Sequence, residues 1–86
     1  MEFAWDPHKE VLNLKKHEVS FDEAKTVFYD PLSWTYPDPD HSDDEERFIT
    51  IGLSQKDRLL VVAHAEETDT IRVISARIAT THEALL

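Results

Sequence analysis

The sequence has no cysteine, a single glycine and no long apolar run. Without cysteine, the chain has neither disulfide bonds nor thiolate metal sites. No apolar run approaches the roughly 20 residues that a membrane-spanning helix needs, and the first residues lack the basic and apolar regions of a signal peptide. We therefore expect one cytoplasmic domain, residues 1–86, that needs no metal or other cofactor and binds no membrane.

Positive charge is also scarce. The chain has 9 Lys and Arg against 18 Asp and Glu, which gives a formal net charge of −9. Such a protein does not bind nucleic acid through its overall field, because neutralising phosphates requires clustered Lys and Arg. The charge favours a basic protein partner and leaves a local basic groove as the remaining route to nucleic acid.

Three short apolar segments, rich in Val and Ile, organise the rest of the chain. Each has about the length of a strand and is bounded by charged or turn-forming residues; they comprise residues 47–53, 58–65 and 70–77. The polar connections between them are too short for a crossover helix, so neighbouring strands must run antiparallel. This pattern predicts a three-stranded meander.

The N-terminal third predicts two helices. Asp6-Pro7 is typical of a helix start, with Asp at the N-cap and Pro at the first helical position. The apolar face of this first helix consists of Val11, Leu12 and Leu14. Ser20 and Glu23 have the spacing of a capping box that opens a second helix, which Pro31 stops.

The remaining elements complete an α+β fold. Residues 32–36 alternate apolar and polar side chains and predict a strand, and Phe3 and Trp5 either form an edge strand or pack on the core. Thr80 and Glu83 form a second capping box, which opens a short C-terminal helix. We predict an N-terminal helical hairpin packed on a four-stranded antiparallel sheet.

An acidic segment, residues 38–46, precedes the meander. It holds six carboxylates and no Lys or Arg. Its spacing matches no calcium-binding loop, and no central glycine is present. We interpret it as a solvated loop rather than a cation site.

Several short motifs follow one another along the whole chain. They are Phe3-x-Trp5-Asp6-Pro7, Asn13-Leu14-x-Lys16-His17-x-Val19-Ser20-Phe21-x-Glu23-Ala24, Asp38-Pro39-Asp40-His41-Ser42, Glu45-Glu46-Arg47-Phe48-x-x-Ile51-Gly52 and Ile74-Ser75-Ala76-Arg77-x-Ala79-Thr80. In this order and spacing they resemble the BrnT toxin family. The combination is far more specific than any one of the motifs.

The resemblance implies a RelE-like fold and a small bacterial ribonuclease toxin. Such a toxin cuts RNA without a metal ion, inhibits translation and is neutralised by a cognate antitoxin. The resemblance also implies a BrnA-like antitoxin bound in a dimer of heterodimers that represses its own operon. In that assembly operator DNA is contacted only through the antitoxin.

Two departures from the family pattern define an alternative. Glu18 stands where the family usually has Gly, and a Glu in the left-handed conformation of a helix end costs roughly 1 kcal/mol. Residues 78–83 replace the family's usual run of Arg and Lys. The alternative is a catalytically weakened binding module that retains antitoxin binding and operon co-repression. A generic α+β interaction domain is a third hypothesis.

A metal-independent ribonuclease must activate a ribose 2′-hydroxyl, stabilise the crowded phosphorane and protonate the leaving 5′-oxygen. The candidate catalytic residues are Lys16, Glu46, Arg47, His64, Arg72 and Arg77, with His17 a weaker candidate beside them. The arginines are expected to hold phosphate, because their planar fork of donors keeps its charge. Lys16, His64 or Glu46 would transfer protons.

Each candidate also has a structural explanation. The arginines and Glu46 suit ordinary ion pairs, His64 suits a core position, and Lys16 suits the negative end of a helix dipole. Arg72 and Arg77 are five residues apart on one strand, so a regular strand places them on opposite faces. A bulge or the end of the strand would be needed to bring them to one face.

Trp34 and Tyr36 are two residues apart on a predicted strand and therefore share one face. There they would stack on bases, or pack against the core or a partner. Packing against the core or a partner is the simpler interpretation.

Overall fold

The computed structural model describes residues 1–40 and 45–84; the predictions for 41–44 and for 85–86 lie outside the described residues. The elements are β1 (Glu2–Ala4), α1 (Pro7–His17), α2 (Phe21–Thr26), a 3-10 turn (Val27–Tyr29), β2 (Trp34–Pro37), β3 (Arg47–Leu53), β4 (Leu59–Glu67), β5 (Thr70–Ile78) and α3 (Thr81–Ala84). None of the helices in this described portion has the length and apolar character needed to cross a membrane.

The strands form one sheet in the order β1-β5-β4-β3-β2. The predicted meander of β3, β4 and β5 is confirmed, and β2 pairs antiparallel with β3. The predicted four-stranded antiparallel sheet is wrong, because β1 adds a fifth strand that runs parallel to β5 alongside residues 70–72. A parallel pair needs a long connection, and here that connection is the rest of the chain. The RelE-like label therefore applies only loosely.

Local capping explains both ends of α1. The Asp6 carboxylate accepts a hydrogen bond of 2.8 Å from the backbone N–H of His8, and Pro7 occupies the first turn. The helix ends at Glu18, whose φ of 58° and ψ of 33° are left-handed, and the Glu18 N–H donates to the Leu14 carbonyl. Both predicted caps are confirmed, including the unfavourable conformation of a Glu where Gly would be relaxed.

The predicted helical hairpin is wrong. α2 has only six residues before it tightens into the 3-10 turn, and both helices pack on β5. Ser20 Oγ accepts from the Glu23 N–H at 3.0 Å, as a capping box requires, but the Glu23 carboxylate instead contacts Ser54 and Arg58. This carboxylate anchors α2 to the β3–β4 connection, so the sheet rather than α1 is its main partner.

α1 turns a polar residue toward the sheet. Asn13 is buried, its amide Nδ2 donates to the carbonyls of Val19 and Ala76 at 2.9 Å each, and its Oδ1 accepts from the Ala76 N–H at 3.0 Å. Asn13 thus satisfies the edge of β5 beyond the point where β1 stops pairing. The residues predicted to bury the apolar face of this helix are each about half exposed: Val11, Leu12 and Leu14.

The core lies between the sheet and the two helices. Its buried members are Val19, Phe21, Ala24, Val27, Leu60, Val62, Val73 and Ala76, with Phe3, Trp5 and Phe28 packed against them. Because successive residues of a strand point to opposite faces, Leu60 and Val62 identify the helix-covered face of β4. The opposite face of the sheet is free of α1 and α2.

Candidate functional site

A β-bulge decides which side chains of β5 share a face. Ala63 of β4 lies opposite Ser75, but the next residue, His64, lies opposite Val73, which leaves Ile74 without a partner on β4. An extra residue of this kind reverses the alternation of side chains along the bulged strand. Two residues of β5 that lie on opposite sides of the bulge and are an odd number of positions apart therefore share a face, whereas a regular strand would place them on opposite faces.

The bulge brings the arginines together. Arg72 lies opposite Ala65 and Arg77 opposite Val61, two positions of β4 that share the face away from the helices. Arg47 of β3 also lies opposite Ala65, so all three arginines occupy that face, here termed the open face. From the sequence, a bulge or the end of the strand was needed to bring Arg72 and Arg77 to one face, and the structure contains the bulge.

A row without arginine, in which two of the side chains are small, separates the two rows of arginines. Across the sheet, Tyr36 lies opposite Ile49, Ile49 opposite Ala63, and Ala63 opposite Ser75. The arginine rows are four residues apart along β4, which is about 13 Å at a strand's rise per residue. The small, partly exposed Ala63 and Ser75 form the floor between Arg72 and Arg77.

Glu45 bridges two of the arginines. Its Oε2 accepts from Arg72 Nη2 at 2.6 Å and its Oε1 from Arg47 Nε at 3.1 Å, while Glu67 lies 3.6 Å from Arg72 Nε. The hydrogen bond from Arg72, followed by that from Arg47, lowers the pKa of Glu45 below its usual range. Glu45 is therefore a carboxylate fixed between two guanidinium groups at neutral pH.

The third arginine is held by α3. Arg77 Nη1 and Nη2 each donate to a different oxygen of Glu83 at 2.7 Å. Glu83 also accepts from the Thr80 N–H at 2.8 Å, and Thr80 Oγ1 accepts from the Glu83 N–H at 3.2 Å, which completes the predicted capping box. The hydrogen bonds from Arg77 are the main reason that the pKa of Glu83 falls to about 2.

Glu46 does not contact this cluster. Its side chain is exposed and forms no ion pair with the residues that the structure describes. The carboxylate that touches the arginines is its neighbour, Glu45. The motif Glu45-Glu46-Arg47 indicated a carboxylate at this position, and the structure places Glu45, rather than the candidate Glu46, against Arg47 and Arg72.

His64 lies on the other side of the sheet from the arginines. It is fully buried, its Nε2 lies 2.7 Å from Thr50 Oγ1, and its ring packs against Phe28 and Phe48. Its Nδ1 is 3.8 Å from a carboxylate oxygen of Glu66, too far for a hydrogen bond. Burial lowers the pKa of His64 to about 4, so the ring is neutral at physiological pH. This position agrees with the core interpretation.

Lys16 lies at the edge of the site. It is exposed on α1 and, with His17, borders a groove whose far wall is Ile74 and Ser75 of the bulge. Ser75 lies in the row between Arg72 and Arg77, so Lys16 lies next to the open face but is not part of it.

Two aromatic rings lie at the β2 edge of the open face. The ring centroids of Trp34 and Tyr36 are 5.7 Å apart with an interplanar angle of 53°, and the Trp34 residue is 55% exposed. Their register with Ile51 and Ile49 places them on the arginine side of the sheet. The exposure of Trp34 contradicts a core position, and its ring contacts Tyr36.

Comparisons with known proteins agree with this architecture. The family model described as "Ribonuclease toxin, BrnT, of type II toxin-antitoxin system" matches residues 5–83. The 1.1 Å crystal structure of the Brucella abortus ribonuclease toxin BrnT is similar with a TM-score of 0.69, covers 94% of this chain and 99% of its own, and is 23% identical. At 23% identity, this structural similarity is evidence for the fold alone. A search of curated proteins gave no match.

Proposed function

This chain belongs to the BrnT family of ribonuclease toxins of type II toxin–antitoxin systems, and we propose from this premise that it cuts RNA on the open face without a metal ion. The observation that carries the proposal is the bulge at Ile74, because it places Arg72 and Arg77 on the face that also holds Arg47. Guanidinium groups on one face suit a phosphodiester, whose oxygens accept their paired hydrogen bonds.

The carboxylates on the open face occupy the positions that a phosphate would take. The side chains of Arg72 and Glu45 are 32% and 35% exposed, and ion pairs at such sites contribute little because solvent screens them. An RNA phosphate can therefore replace Glu45 on its two arginines. Glu83 holds Arg77 in the same way at the other end of the face.

Glu45 is also our proposed general base. It is ionised, since hydrogen bonds from Arg72 and Arg47 lower its pKa, and displacement by the phosphate would leave it next to the reacting ribose. The 2′-hydroxyl gives its proton to the carboxylate, the 2′-oxygen bonds to phosphorus, and the bond from phosphorus to the 5′-oxygen breaks as that oxygen takes a proton from a water molecule. The arginines stabilise the charge on the phosphorane and the leaving oxygen. Glu46 is the alternative base, and we assign no role in this step to the buried His64.

A type II toxin–antitoxin family implies an antitoxin partner. We propose that this partner is basic and BrnA-like, in keeping with the toxin's net charge of −9, and that the two proteins form a dimer of heterodimers. The antitoxin would make any contact with operator DNA. The free toxin, folded as one domain over residues 1–86, would inhibit translation in the cytoplasm by cutting RNA.

The test is cleavage of single-stranded RNA by the purified protein in excess EDTA, with the new ends identified by mass spectrometry. We expect a 2′,3′-cyclic phosphate and a 5′-hydroxyl. Replacing Arg72 and Arg77 together with Gln should lower kcat/KM by about 10²-fold or more, the usual cost of lost transition-state donors. Glu45→Gln should lower kcat by about 10²-fold. The matched control replaces Lys25 and Lys56, which lie away from the open face, and should retain activity.

A second candidate function is the binding module without catalysis. The observation that favours it is that each arginine of the open face already has a carboxylate partner, Glu45 or Glu83. Intact RNA in the cleavage assay, together with normal growth of a bacterial host in which the chain is induced alone, would support this second function. Stable co-purification with the antitoxin would be expected of both.

A further inference from the structure

The unpaired positive charge of this protein is concentrated on α1. Every arginine has a carboxylate partner, and Lys25 lies 3.6 Å from Asp22. By contrast, Lys9, Lys15 and Lys16 of α1 form no ion pair within residues 1–40 and 45–84, and outside this helix only Lys56, in the β3–β4 connection, shares that property there. Three of the five lysines thus stand on one helix of a chain whose net charge is −9.

Two of these lysines border a groove between α1 and β5, here termed the α1 groove. Its volume is about 310 Å³, at the lower end of the range for small-ligand sites. Its lining residues are Lys9, Leu12, Asn13, Lys16, His17, Ile74 and Ser75. The lining therefore offers two ammonium groups, an imidazole and a hydroxyl, and it contains no carboxylate.

Other cavities of the described portion have the opposite character. One beside the N-terminus is lined by Glu66, Glu67 and Asp69. Two at the far end of the sheet include the Asp30 carboxylate, and one of these also includes Glu83. In a chain with twice as many acidic as basic residues, a carboxylate-free basic groove is a local exception and marks a place suited to an anion.

The α1 groove is continuous with the open face. Ser75 lines the groove and also lies opposite Ala63, in the row between the two arginine rows. β1 pairs with β5 only as far as Arg72, and beyond that point the Asn13 side chain satisfies the strand edge. No strand of the described portion walls off this edge, so an extended ligand on the open face can pass Ser75 into the groove.

We propose that the α1 groove binds a backbone phosphate of single-stranded RNA adjacent to the phosphate cleaved on the open face, with Lys9 and Lys16 as its cations. Lysine suits this task, because its ammonium is a compact charge that neutralises phosphate without reading sequence. This inference rests on the proposed function only in taking RNA as the ligand. An acidic protein segment is the less fitting occupant, since the expected partner of this acidic chain is basic.

The first test measures binding of a fluorescent, uncleavable 2′-O-methyl RNA oligonucleotide to the full chain over a range of salt concentrations. Replacing Lys9 and Lys16 together with Gln should weaken binding on the order of tenfold at low salt. It should also reduce the slope of log Kd against log salt by about 0.7, the change expected when one phosphate of a single strand is no longer neutralised. The control replaces Lys25 and Lys56 with Gln, which changes the net charge equally away from the groove.

The second test compares substrates of different length. A dinucleotide has no flanking phosphate, so the Lys9→Gln variant should cleave it as wild type does, whereas its KM for a longer RNA should rise with little change in kcat. If wild type does not cleave RNA at all, the proposed function fails. The salt dependence of RNA binding still tests whether the α1 groove holds a phosphate. Three results would overturn the inference. They are a wild-type salt slope in the variant with both Lys9 and Lys16 replaced, no RNA binding by wild type, and a double variant that loses only antitoxin binding.

Discussion

Two Arg–Glu pairs on opposite faces of the sheet have the same chemistry in different surroundings. On the helix-covered face, the Glu23 side chain is 2% exposed and accepts hydrogen bonds from Arg58 and from Ser54 Oγ. On the open face, both Arg72 and Glu45 keep about a third of their side-chain surface in solvent. The first pair joins α2 to the β3–β4 connection, while the second joins two residues of a surface.

Solvent exposure of the carboxylate decides which arginine can exchange its partner for a ligand. Arg58 keeps 31% of its side-chain surface in solvent, but the Glu23 carboxylate is buried, so its hydrogen bonds are not replaced by water when it is removed. A partner lost from the pair of Arg72 and Glu45, each about a third exposed, is replaced by water or by a ligand. By this criterion the Glu23 carboxylate is part of the fold, and the Glu45 carboxylate occupies a site that a phosphate can take over. Each prediction below tests this division between a fixed face and an exchangeable one.

The largest effect is expected for Glu23→Gln. The substitution weakens the charge-assisted hydrogen bonds from Arg58 and Ser54 Oγ that anchor α2, so we expect the free energy of unfolding to fall by about 2–3 kcal/mol. Urea denaturation followed by circular dichroism measures this change. The matched control is Asp22→Asn on the same helix, whose carboxylate is exposed, and which should cost well under 1 kcal/mol. Equal costs for the two variants would contradict the division.

The next effect is a pH dependence due to His64. Burial lowers its pKa from 6.5 to about 4, so the unfolded chain binds more protons than the folded one between these pH values, and stability falls as the pH falls through this window. We expect a loss of about 2 kcal/mol between pH 7 and pH 5. The pKa values of Glu23 and Glu83 are lowered from 4.5, so their contributions begin to be lost only as the pH falls below about 5.

His64→Gln identifies the source of that slope. Gln can still reach Thr50 Oγ1 but does not titrate, so the variant should lose most of the change in stability between pH 7 and pH 5. His8→Gln, at an exposed position of α1, serves as the control and should keep the wild-type slope. A slope unaffected by His64→Gln would mean that the ring is not neutral and buried in the way described.

A third prediction compares the effect of a larger side chain on each face of the sheet. Gly52 lies on the helix-covered face, and a Cβ there would be 2.8 Å from Ser33 Cβ and 2.9 Å from Val27 Cγ1. Gly52→Ala should therefore destabilise the protein by about 1–2 kcal/mol through overpacking. Ala63→Val on the open face should change stability much less but weaken RNA binding by filling the floor between the arginines. Thermal unfolding and RNA titration of both variants would check this, and an equally destabilising Ala63→Val would count against an open floor.

Much of this fold was predictable because local chemistry determines it. The meander follows from β-rich segments with short connections, and α1 follows from the Asp6 N-cap and its C-terminal break at Glu18. The pairing of β1 with β5 was less accessible, because residues near position 3 meet residues near position 71 only after the whole chain has folded. Periodicity also failed on α1, where a buried Asn13 satisfies the backbone of β5.

The sequence singled out the three arginines that share the open face, but their arrangement was not predictable from it. The sequence indicated Arg72 and Arg77 as phosphate ligands, yet their spacing in a regular strand separates them. Only the unpaired Ile74 brings them together, and an isolated bulge without Gly leaves no clear trace in a single sequence. The roles of Glu45 and Glu83 were missed for a similar reason: each comes from outside the strands, and tertiary contact alone brings it to an arginine.

The smallest effect on stability, and the sharpest test of the open face, is expected for Glu45→Gln. The substitution frees the guanidinium groups of Arg72 and Arg47 in a solvated setting, so the unfolding midpoint should change little. The same change removes the carboxylate that competes with phosphate, and the affinity for uncleavable RNA should therefore rise severalfold. Glu46→Gln removes the same charge from the adjacent exposed residue and controls for net charge. If both variants bind RNA equally well, Glu45 does not compete for the arginines, and their convergence on the open face is structural rather than functional.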